Sequence, residues 1–438
     1  MRVTYYGQAC TLIEACGKKI LTDPWLTEGA YFGTWFHTHL LADAGITPET
    51  FPKDVDCIFL SHEHQDHVDP ETLRHFSPST PVLICRFVTS KFRHYLENLG
   101  FDKIIEVPSG QTITMGKNLK ATVLGSVEYT NDAALLVEAE NCRVLNETDC
   151  KLSYYDLQTI GRRGIDIGFF MFSGANWYPM LYDYTEEVQR ELVSRRRHSL
   201  LRSFVQRVKI AKPKIAIPAA GPCTVLDPEC LWLNSSERGI FIDPEDAVNA
   251  LRQANLPVQA VSLAASDVWD SRRGFEFRTP SAFRAARDQY IREASERMAH
   301  QISGRRAAEP SATSELPKLF FKHFNELISA QTQFVRHRIN AKVTFVVRGR
   351  HGGTWTLDFL SSGPDYVYEG SRRDWTYKIE VEDKLLLPFL TKEQLFFEDL
   401  LLSLRVRCAR RPDQYNEALY HFLYEPDPEK LHNWYSKD

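Results

Sequence analysis

The sequence of 438 residues lacks the features that mark three common classes of protein. No apolar run approaches the length of a membrane span, and residues 1–6 contain no apolar signal core. The charges nearly balance, with 53 Lys and Arg against 57 Asp and Glu, which argues against a general nucleic-acid binder. These absences predict a cytoplasmic globular protein with neither a membrane span nor a nucleic-acid partner.

Closely spaced cysteine motifs are also missing. The nine cysteines include no C-x-x-C and no C-x-H pair. Zinc-ribbon and Rieske iron–sulfur sites need such pairs, so neither site is expected. Hydrophobic residues make up 43% of the chain, which is enough for two or three domains with real cores. We interpret most of the cysteines as small buried hydrophobic residues.

One short segment, residues 61–67 with the sequence SHEHQDH, is unusually rich in histidine. Residues 57–60 before it are apolar and predict a buried strand, and Asp69-Pro70 after it is typical of a helix start. The histidines are therefore expected on the loop at the C-terminal end of the strand. A polar surface loop is the alternative, but three imidazoles and a carboxylate within six residues are hard to explain by packing.

The spacing within this loop predicts two metal ions. His62 and His64 are two residues apart and can converge on one ion, whereas Asp66 and His67 lie across the turn and can reach a second. The pattern H-x-H-x-D-H resembles that of the metallo-β-lactamase fold. The resemblance implies an α/β fold class, with an αβ/βα sandwich over about the first 270 residues.

The same resemblance implies where further ligands lie. The bridging carboxylate of the family follows a strand in a G-D or T-D turn, and Asp149 fits that position. The third histidine of the first site should lie within residues 125–133, where this chain has no histidine and Glu128 is the available ligand. The last histidine should follow residues 214–217, but residues 218–223 read PAAGPC, so the last ligand of the second site stays open.

Replacing imidazole by carboxylate gives the site harder ligands, in the sense of hard and soft acids and bases. Oxygen-rich ligand sets suit iron or manganese better than zinc, although zinc also tolerates carboxylate. We therefore expect two metal ions, with iron favoured over zinc and manganese. Asp149 and Glu128 are then the ligands that we also expect to serve in catalysis.

Two groups of oxygenases on this fold show the same departures. Residues 172–179 (FSGANWYP) and 217–222 (IPAAGP) resemble the catalytic region of CMP-N-acetylneuraminate hydroxylases, and this resemblance covers about residues 1–275. Di-iron hydroxylases of carrier-bound amino acids are similar in placing glutamate where the third histidine would be. The resemblance implies a di-iron, O2-dependent hydroxylase or N-oxygenase acting on a small-molecule or carrier-bound metabolite.

Such an oxygenase needs a source of electrons. The sequence shows no Rieske segment like that of the sialic acid hydroxylases, so we expect a separate electron-donor protein or reductant. The alternative function is a dinuclear metal-dependent hydrolase of an ester, lactone, amide or phosphodiester, in which the metals activate a bridging water.

Five residues outside the ligand set are candidates for contact with the substrate. His37 and His39 lie in an aromatic loop and are expected either to touch substrate or to complete the second metal site, with an ordinary loop role as the alternative. Asn176, Trp177 and Tyr178 are expected to line the substrate cavity, with aromatic core packing as the alternative.

The chain is predicted to have three parts. Residues 1–275 form the metallo-β-lactamase-fold catalytic domain, residues 276–316 a helix and linker, and residues 317–438 a smaller α+β domain. The last part is predicted to begin with a helix, followed by five strands and a final helix. The first helix covers residues 317–336, and the strands cover residues 341–348, 355–360, 366–369, 375–380 and 405–408. This order of strands and helices resembles sterol carrier protein 2. That resemblance implies an apolar tunnel, and the alternative is a packing or dimerisation module, which would make the protein a homodimer.

Overall fold

The structure is a computed structural model that describes residues 1–27, 29–126, 128–279, 287–391 and 397–437. Its residues form two compact units. Unit 1 consists of Met1–Ala175 and Arg190–Ala299, and unit 2 consists of Asn176–Gln189 and His300–Asp438. A short segment from the first half of the chain thus belongs to unit 2. The division at residues 275 and 316 stays a prediction.

Two β-sheets form the centre of unit 1. Many of their strands are buried along most of their length and rich in β-branched and apolar residues. In chain order, the strands described in unit 1 are β1 Arg2–Gly7, β2 Cys10–Ala15, β3 Lys18–Thr22, β4 Trp35–Phe36, β5 Cys57–Phe59, β6 Val82–Cys85, β7 Ile104–Val107, β8 Thr112–Gly116, β9 Leu119–Gly125, β10 Ala133–Ala139, β11 Cys142–Asn146, β12 Ile167–Met171, β13 Ile215–Ala219, β14 Thr224–Val225, β15 Gln259–Ala260, β16 Val268–Asp270 and β17 Gly274–Glu276.

Each sheet is antiparallel in one part and parallel in another. The first sheet has the order β17-β16-β1-β2-β3-β5-β6-β7 and is parallel from β3 to β7. The second has the order β15-β13-β12-β11-β10-β9-β8 and is parallel from β11 to β15. Loops that follow parallel strands collect at one edge of a sheet, which is where binding residues concentrate.

Apolar clusters hold unit 1 in four layers. Phe59 of the first sheet and Phe169 of the second belong to one buried cluster between the sheets. Phe92, on the helix Lys91–Asn98, packs on the outer face of the first sheet, and Phe204, on a long helix, packs on the outer face of the second. This helix–sheet–sheet–helix order is the predicted αβ/βα sandwich, and the fold class is confirmed.

Aspartate followed by proline starts two helices of unit 1. The side chains of Asp69 and Asp243 accept hydrogen bonds from backbone N–H groups two residues later, and proline occupies the first turn. The helix start predicted at Asp69-Pro70 is therefore confirmed. The helices described here, two of which have end turns in unit 2, are Ala30–Gly33, Pro70–Leu73, Lys91–Asn98, Tyr154–Arg162, Glu186–Ala211, Pro244–Gln253 and Arg287–Ala307, with 3-10 turns Leu41–Ala44 and Leu231–Asn234.

Unit 2 is built on one sheet, and its five described strands match the predicted order. They are β18 Lys342–Arg348, β19 Gly353–Asp358, β20 Val367–Glu369, β21 Tyr377–Glu382 and β22 Arg407–Arg410. The sheet order is β20-β19-β18-β21-β22, with β18 and β21 parallel. The unit is α+β, as expected, and its likeness to sterol carrier protein 2 stays a prediction.

The first helix predicted in this unit, residues 317–336, is in fact two helices. The first ends at Ser329, and the second begins after Thr332, which is extended and whose hydroxyl accepts a hydrogen bond from the N–H of Val335. No helix within the described ranges is long and apolar enough to cross a membrane. The described helices that lie wholly in unit 2 are Leu316–Ser329, Gln333–Ile339, Asp383–Thr391, Phe397–Leu402, Glu417–Tyr424 and Pro428–Tyr435.

Candidate metal centre

The histidine-rich residues 61–67 form the loop that follows strand β5. A tight turn closes the loop, because the backbone N–H groups of His67 and Val68 both donate to the carbonyl of His64, at 3.0 and 2.7 Å. The centroids of the buried His62 and His67 rings lie 4.2 Å apart. The loop therefore has the position at the strand end that the sequence predicts.

Five of the six predicted ligands lie together at this loop. His62, His67 and Asp149 each offer one ligand atom, and these atoms lie within 4.8 Å of one another. His67 Nε2 is 3.4 Å from Asp149 Oδ1 and 3.7 Å from Asp66 Oδ2. His62 Nε2 is 2.8 Å from His64 Nδ1. We call these five residues the histidine–aspartate cluster.

A further carboxylate, which the sequence analysis missed, joins the cluster. Asp132 Oδ1 lies 3.1 Å from His62 Nδ1. This oxygen and Asp149 Oδ1 are buried and have no hydrogen-bond partner in the described structure. Asp132 lies within the segment searched for the third histidine, immediately before strand β10, and this position at a strand end is the signal that could have identified it.

Glu128 does not lie in the cluster. Its side chain is exposed, and its carboxylate pairs with Lys151 Nζ at 2.9 Å. Its backbone N–H donates to the hydroxyl of Ser126 at 3.0 Å, which fixes the turn after strand β9. Exposed pairs of this kind contribute little to stability. The carboxylate that the structure places beside His62 is therefore that of Asp132.

A buried aspartate orients two members of the loop. Asp23 accepts hydrogen bonds from the N–H and hydroxyl of Ser61, at 2.8 and 2.7 Å, and lies 2.9 Å from His67 Nδ1. Burial lowers the pKa of His67, but the charges of Asp149 and Asp66 and the hydrogen bonds with Asp149 and Asp23 outweigh burial and raise it well above its usual value. With Nδ1 donating to Asp23, Nε2 faces Asp149, and a bound cation would take the place of the Nε2 proton. Tyr31, not anticipated, donates to Asp66 Oδ1 at 2.6 Å.

Asp149 is held by a strained turn and a buried ion pair. Thr148 has a φ of 52°, in the left-handed region that β-branched residues rarely adopt, and its hydroxyl donates to Ala133 O at 2.8 Å. The fully buried Glu147 receives the Arg207 guanidinium, which also donates to Leu152 O at 2.9 Å. The Glu147–Arg207 pair thus fixes both sides of the turn that carries Asp149.

The charges of the cluster favour a bound cation. Burial lowers the pKa of His62 well below its usual value, and the neighbouring His67 and His64 lower it further, which keeps His62 in the neutral form that binds metals. Burial, and then the charge of Asp149, raise the pKa of Asp132 well above its usual range. Two carboxylates that each have a buried oxygen without a hydrogen-bond partner, beside a neutral imidazole, fit the requirements of a metal site.

His37 and His39 line a small cavity in unit 1, of about 80 Å³. The His37 ring lies 4.1 Å from that of Trp25, and its Nε2 is 3.0 Å from Trp25 O. Burial lowers the pKa of His37 to about 4. The His39 ring contacts Tyr290 at a centroid distance of 4.7 Å. Their predicted contact with substrate stays a prediction.

Asn176, Trp177 and Tyr178 belong to unit 2. The Asn176 side chain accepts a hydrogen bond from the N–H of Tyr178 at 2.6 Å, and the Trp177 ring lies 5.9 Å from Tyr420. The Arg410 guanidinium lies 4.8 Å from the Tyr178 ring centroid. These contacts are aromatic packing within unit 2, and a substrate role for the three residues stays a prediction.

A protein-family model and individual known proteins both resemble the chain. Residues 2–163 match the model of the beta-lactamase superfamily domain. A protein of Mycolicibacterium smegmatis, named provisionally as a Rieske 2Fe-2S iron–sulfur protein, is 28% identical, and the match covers 97% of this chain and 84% of that protein. The cytidine monophosphate-N-acetylneuraminic acid hydroxylase of Danio rerio is 24% identical, over 99% of this chain and 73% of the relative.

Among solved structures, CmlA, a diiron β-hydroxylase from Streptomyces venezuelae, is 17% identical with a TM-score of 0.39, and the match covers 60% of this chain and 53% of CmlA. Over residues 2–163 the chain is thus similar to the beta-lactamase superfamily domain. Its likeness to the Danio rerio hydroxylase extends over nearly its whole length.

Proposed function

We propose that the protein is an O2-dependent oxygenase with two iron ions, a hydroxylase or N-oxygenase of a small-molecule or carrier-bound metabolite. The observation that carries the proposal is the pair of buried, unpartnered carboxylate oxygens on Asp132 and Asp149 beside neutral imidazole. Such a carboxylate-rich set suits iron better than an all-histidine set would. The relative from Danio rerio, which is named as a hydroxylase, supports the same class.

In this proposal His62, His64 and Asp132 would hold one ion, Asp66 and His67 would hold the other, and Asp149 would contribute to both. Asp132 then has the role that the sequence analysis gave to Glu128. Two iron ions held there would supply the redox chemistry that activates O2.

The surrounding residues keep the ligands in position and limit the access of water. Asp23 holds the Nδ1 proton of His67, and Tyr31 holds one oxygen of Asp66. Ser61 and Asp23 are both buried, so the loop is fixed by groups that water does not reach. Ligands set in this way before the metal binds need little reorganisation during reaction.

The reaction implies a further partner. Insertion of one atom of O2 into a C–H or N–H bond, with reduction of the other atom to water, consumes two electrons and two protons. We therefore propose a separate electron-donor protein or reductant. The substrate is expected to be a small molecule or a metabolite attached to a carrier.

Metal analysis of protein purified without oxygen tests the proposal. Roughly two iron ions per chain are expected, with an optical spectrum that changes on reduction, and Asp66→Ala should lose roughly one of them. Asp102→Ala is the matched control, because Asp102 is exposed, and it should keep both ions. Zinc in place of iron, together with hydrolysis of an ester, lactone, amide or phosphodiester, would replace the oxygenase by the hydrolase alternative.

A further inference from the structure

An arginine of unit 1 is buried without adequate partners. The Arg287 side chain is only 10% exposed, and its Nε and one terminal nitrogen have no hydrogen-bond partner among the described residues. The nearest charged group is Asp243, with Oδ2 at 3.5 Å from Nε. A buried guanidinium that lacks hydrogen bonds costs free energy, because its N–H groups have lost their hydration without replacement. A ligand that accepts these hydrogen bonds would remove that cost.

The space for such a ligand is next to the arginine. Arg287 lines the cavity of about 80 Å³ together with His37, Thr38, Gly221 and Pro222. This volume exceeds that of a single water site and is enough for the polar end of a small molecule.

His37 presents an acceptor at the wall of the same cavity. Its low pKa, about 4 because of burial, keeps the ring neutral, so Nε2 carries the proton that it donates to Trp25 O. Nδ1 is then the acceptor. Gly7, which also lines the cavity, leaves Nδ1 uncovered, because a Cβ at position 7 would lie 2.9 Å from it.

The cavity is linked to the histidine–aspartate cluster through a short stretch of chain. His37 is hydrogen-bonded to Trp25, and Asp23, two residues earlier, lies 2.9 Å from His67 Nδ1. A ligand in the cavity would therefore be held by the same segment that orients a proposed metal ligand.

We propose that this cavity binds the carboxylate of a small organic acid and that Arg287 recognises it. A planar carboxylate accepts two parallel hydrogen bonds from a guanidinium, and Nδ1 of His37 can accept one from a hydroxyl or amino group of the same ligand. Asp243 and Glu245 line the same cavity and disfavour the doubly charged phosphate more than a singly charged carboxylate. That this acid is part of the substrate rests on the proposed function.

Saturation-transfer NMR on the full chain, with lactate as the probe, tests the proposal. Wild type should bind lactate, and Arg287→Met should bind it roughly tenfold more weakly or not at all, because a charged, paired hydrogen bond is lost. Arg292→Met is the matched control, since Arg292 is exposed on the same helix, and it should bind as wild type does. Arg287→Lys, which keeps the charge but not the planar fork, should bind with intermediate strength and serves if the methionine variant does not fold.

Two further measurements separate the sources of binding. Inorganic phosphate should displace lactate poorly, and equal displacement would overturn the carboxylate assignment. Binding should persist after chelation of all metals, because Arg287 and not an ion holds the probe. Loss of lactate binding on chelation, or unchanged binding in Arg287→Met, would overturn the proposal. The chelated protein gives this answer whether or not the native metals are iron.

Discussion

Two sets of buried charged groups, one in each unit, differ in whether their hydrogen-bond partners are present. In unit 2 the Lys430 ammonium and the Glu425 carboxylate, 5% and 3% exposed, pair with each other. In unit 1 Asp132 and Asp149 carry buried oxygens that have no hydrogen-bond partner. Both arrangements remove charge from water, but only the first replaces the lost hydration from within the chain. The comparison teaches that a buried charge with its partner stabilises the fold, whereas a buried carboxylate oxygen without a partner indicates a place where a ligand binds.

The largest effect is expected from breaking the complete pair. Glu425→Gln leaves the Lys430 ammonium buried without a counter-charge, and we expect the free energy of unfolding to fall by about 3–5 kcal/mol. Urea denaturation followed by circular dichroism measures this change. Glu369→Gln, an exposed change in the same unit, should alter the value by less than about 0.5 kcal/mol. Equal small effects in both variants would contradict the structural role of the pair.

A second complete pair lies beside the candidate metal centre. Arg207→Met strands the fully buried Glu147 and frees the turn that carries Asp149. We expect a loss of about 3 kcal/mol in stability and a lower metal content at equal protein concentration. Arg202→Met, exposed on the same helix, should change neither quantity.

The double variant Arg207→Met with Glu147→Met separates the two effects. It should recover stability, because no unpaired charge remains buried. Its metal content should stay low, because the turn that carries Asp149 still lacks the Glu147–Arg207 pair. Full recovery of the metal would show that the pair stabilises the fold without positioning Asp149.

Mutation of the candidate metal centre, where carboxylate oxygens lack partners, should raise stability instead of lowering it. Burial, and then the charge of Asp149, raise the pKa of Asp132, which means that the folded state disfavours its ionised form. Asp132→Asn replaces this carboxyl group by a neutral amide, so the chelated protein should become more stable, by about 1–2 kcal/mol. The same change should lower metal content, because an amide is a poorer ligand than a carboxylate.

Glu128→Gln is the control for this comparison, and it should leave both quantities unchanged, since the Glu128 side chain is exposed. Metal loss in Glu128→Gln with none in Asp132→Asn would instead return the ligand role to Glu128.

Much of the fold could be predicted from local pattern alone. Alternation of apolar residues predicted the strands of unit 2 in their order, and Asp69-Pro70 predicted a helix start, because a cap depends on neighbouring residues. The break between the helices that end at Ser329 and begin at Gln333 was missed, since apolar spacing continues across it and the side-chain cap at Thr332 is a single-residue signal. Residues 176–189 belong to unit 2 because of contacts with residues far along the chain, which no local pattern reports.

The candidate site likewise has ligands that the local sequence predicts and one that it does not. The loop ligands His62 and Asp66 follow from spacing, since one tight turn sets their positions. The choice between Glu128 and Asp132 depends on the register of the chain between strands β9 and β10. That register is fixed by pairing across the sheet, so sequence could name the segment but not the residue.

The smallest expected effect tests whether burial of a charge without a partner is also unfavourable at a partly buried group, His421. Burial, together with the charge of Lys430, lowers the pKa of His421 to about 4, from an ordinary value of 6.5. Between these values the unfolded chain binds the proton and the folded chain does not, so the contribution is complete above pH 6.5 and is lost as pH falls toward 4.

Lowering the pH from 7 to 5 should therefore reduce the free energy of unfolding through His421 by about 1 kcal/mol, a value reduced because the ring is only partly buried. Denaturation at several pH values measures the slope, and His421→Gln should flatten it by that amount. Exposed His337→Gln should leave the slope as it is in wild type. An unchanged slope in His421→Gln would mean that charging this imidazole costs the folded state nothing.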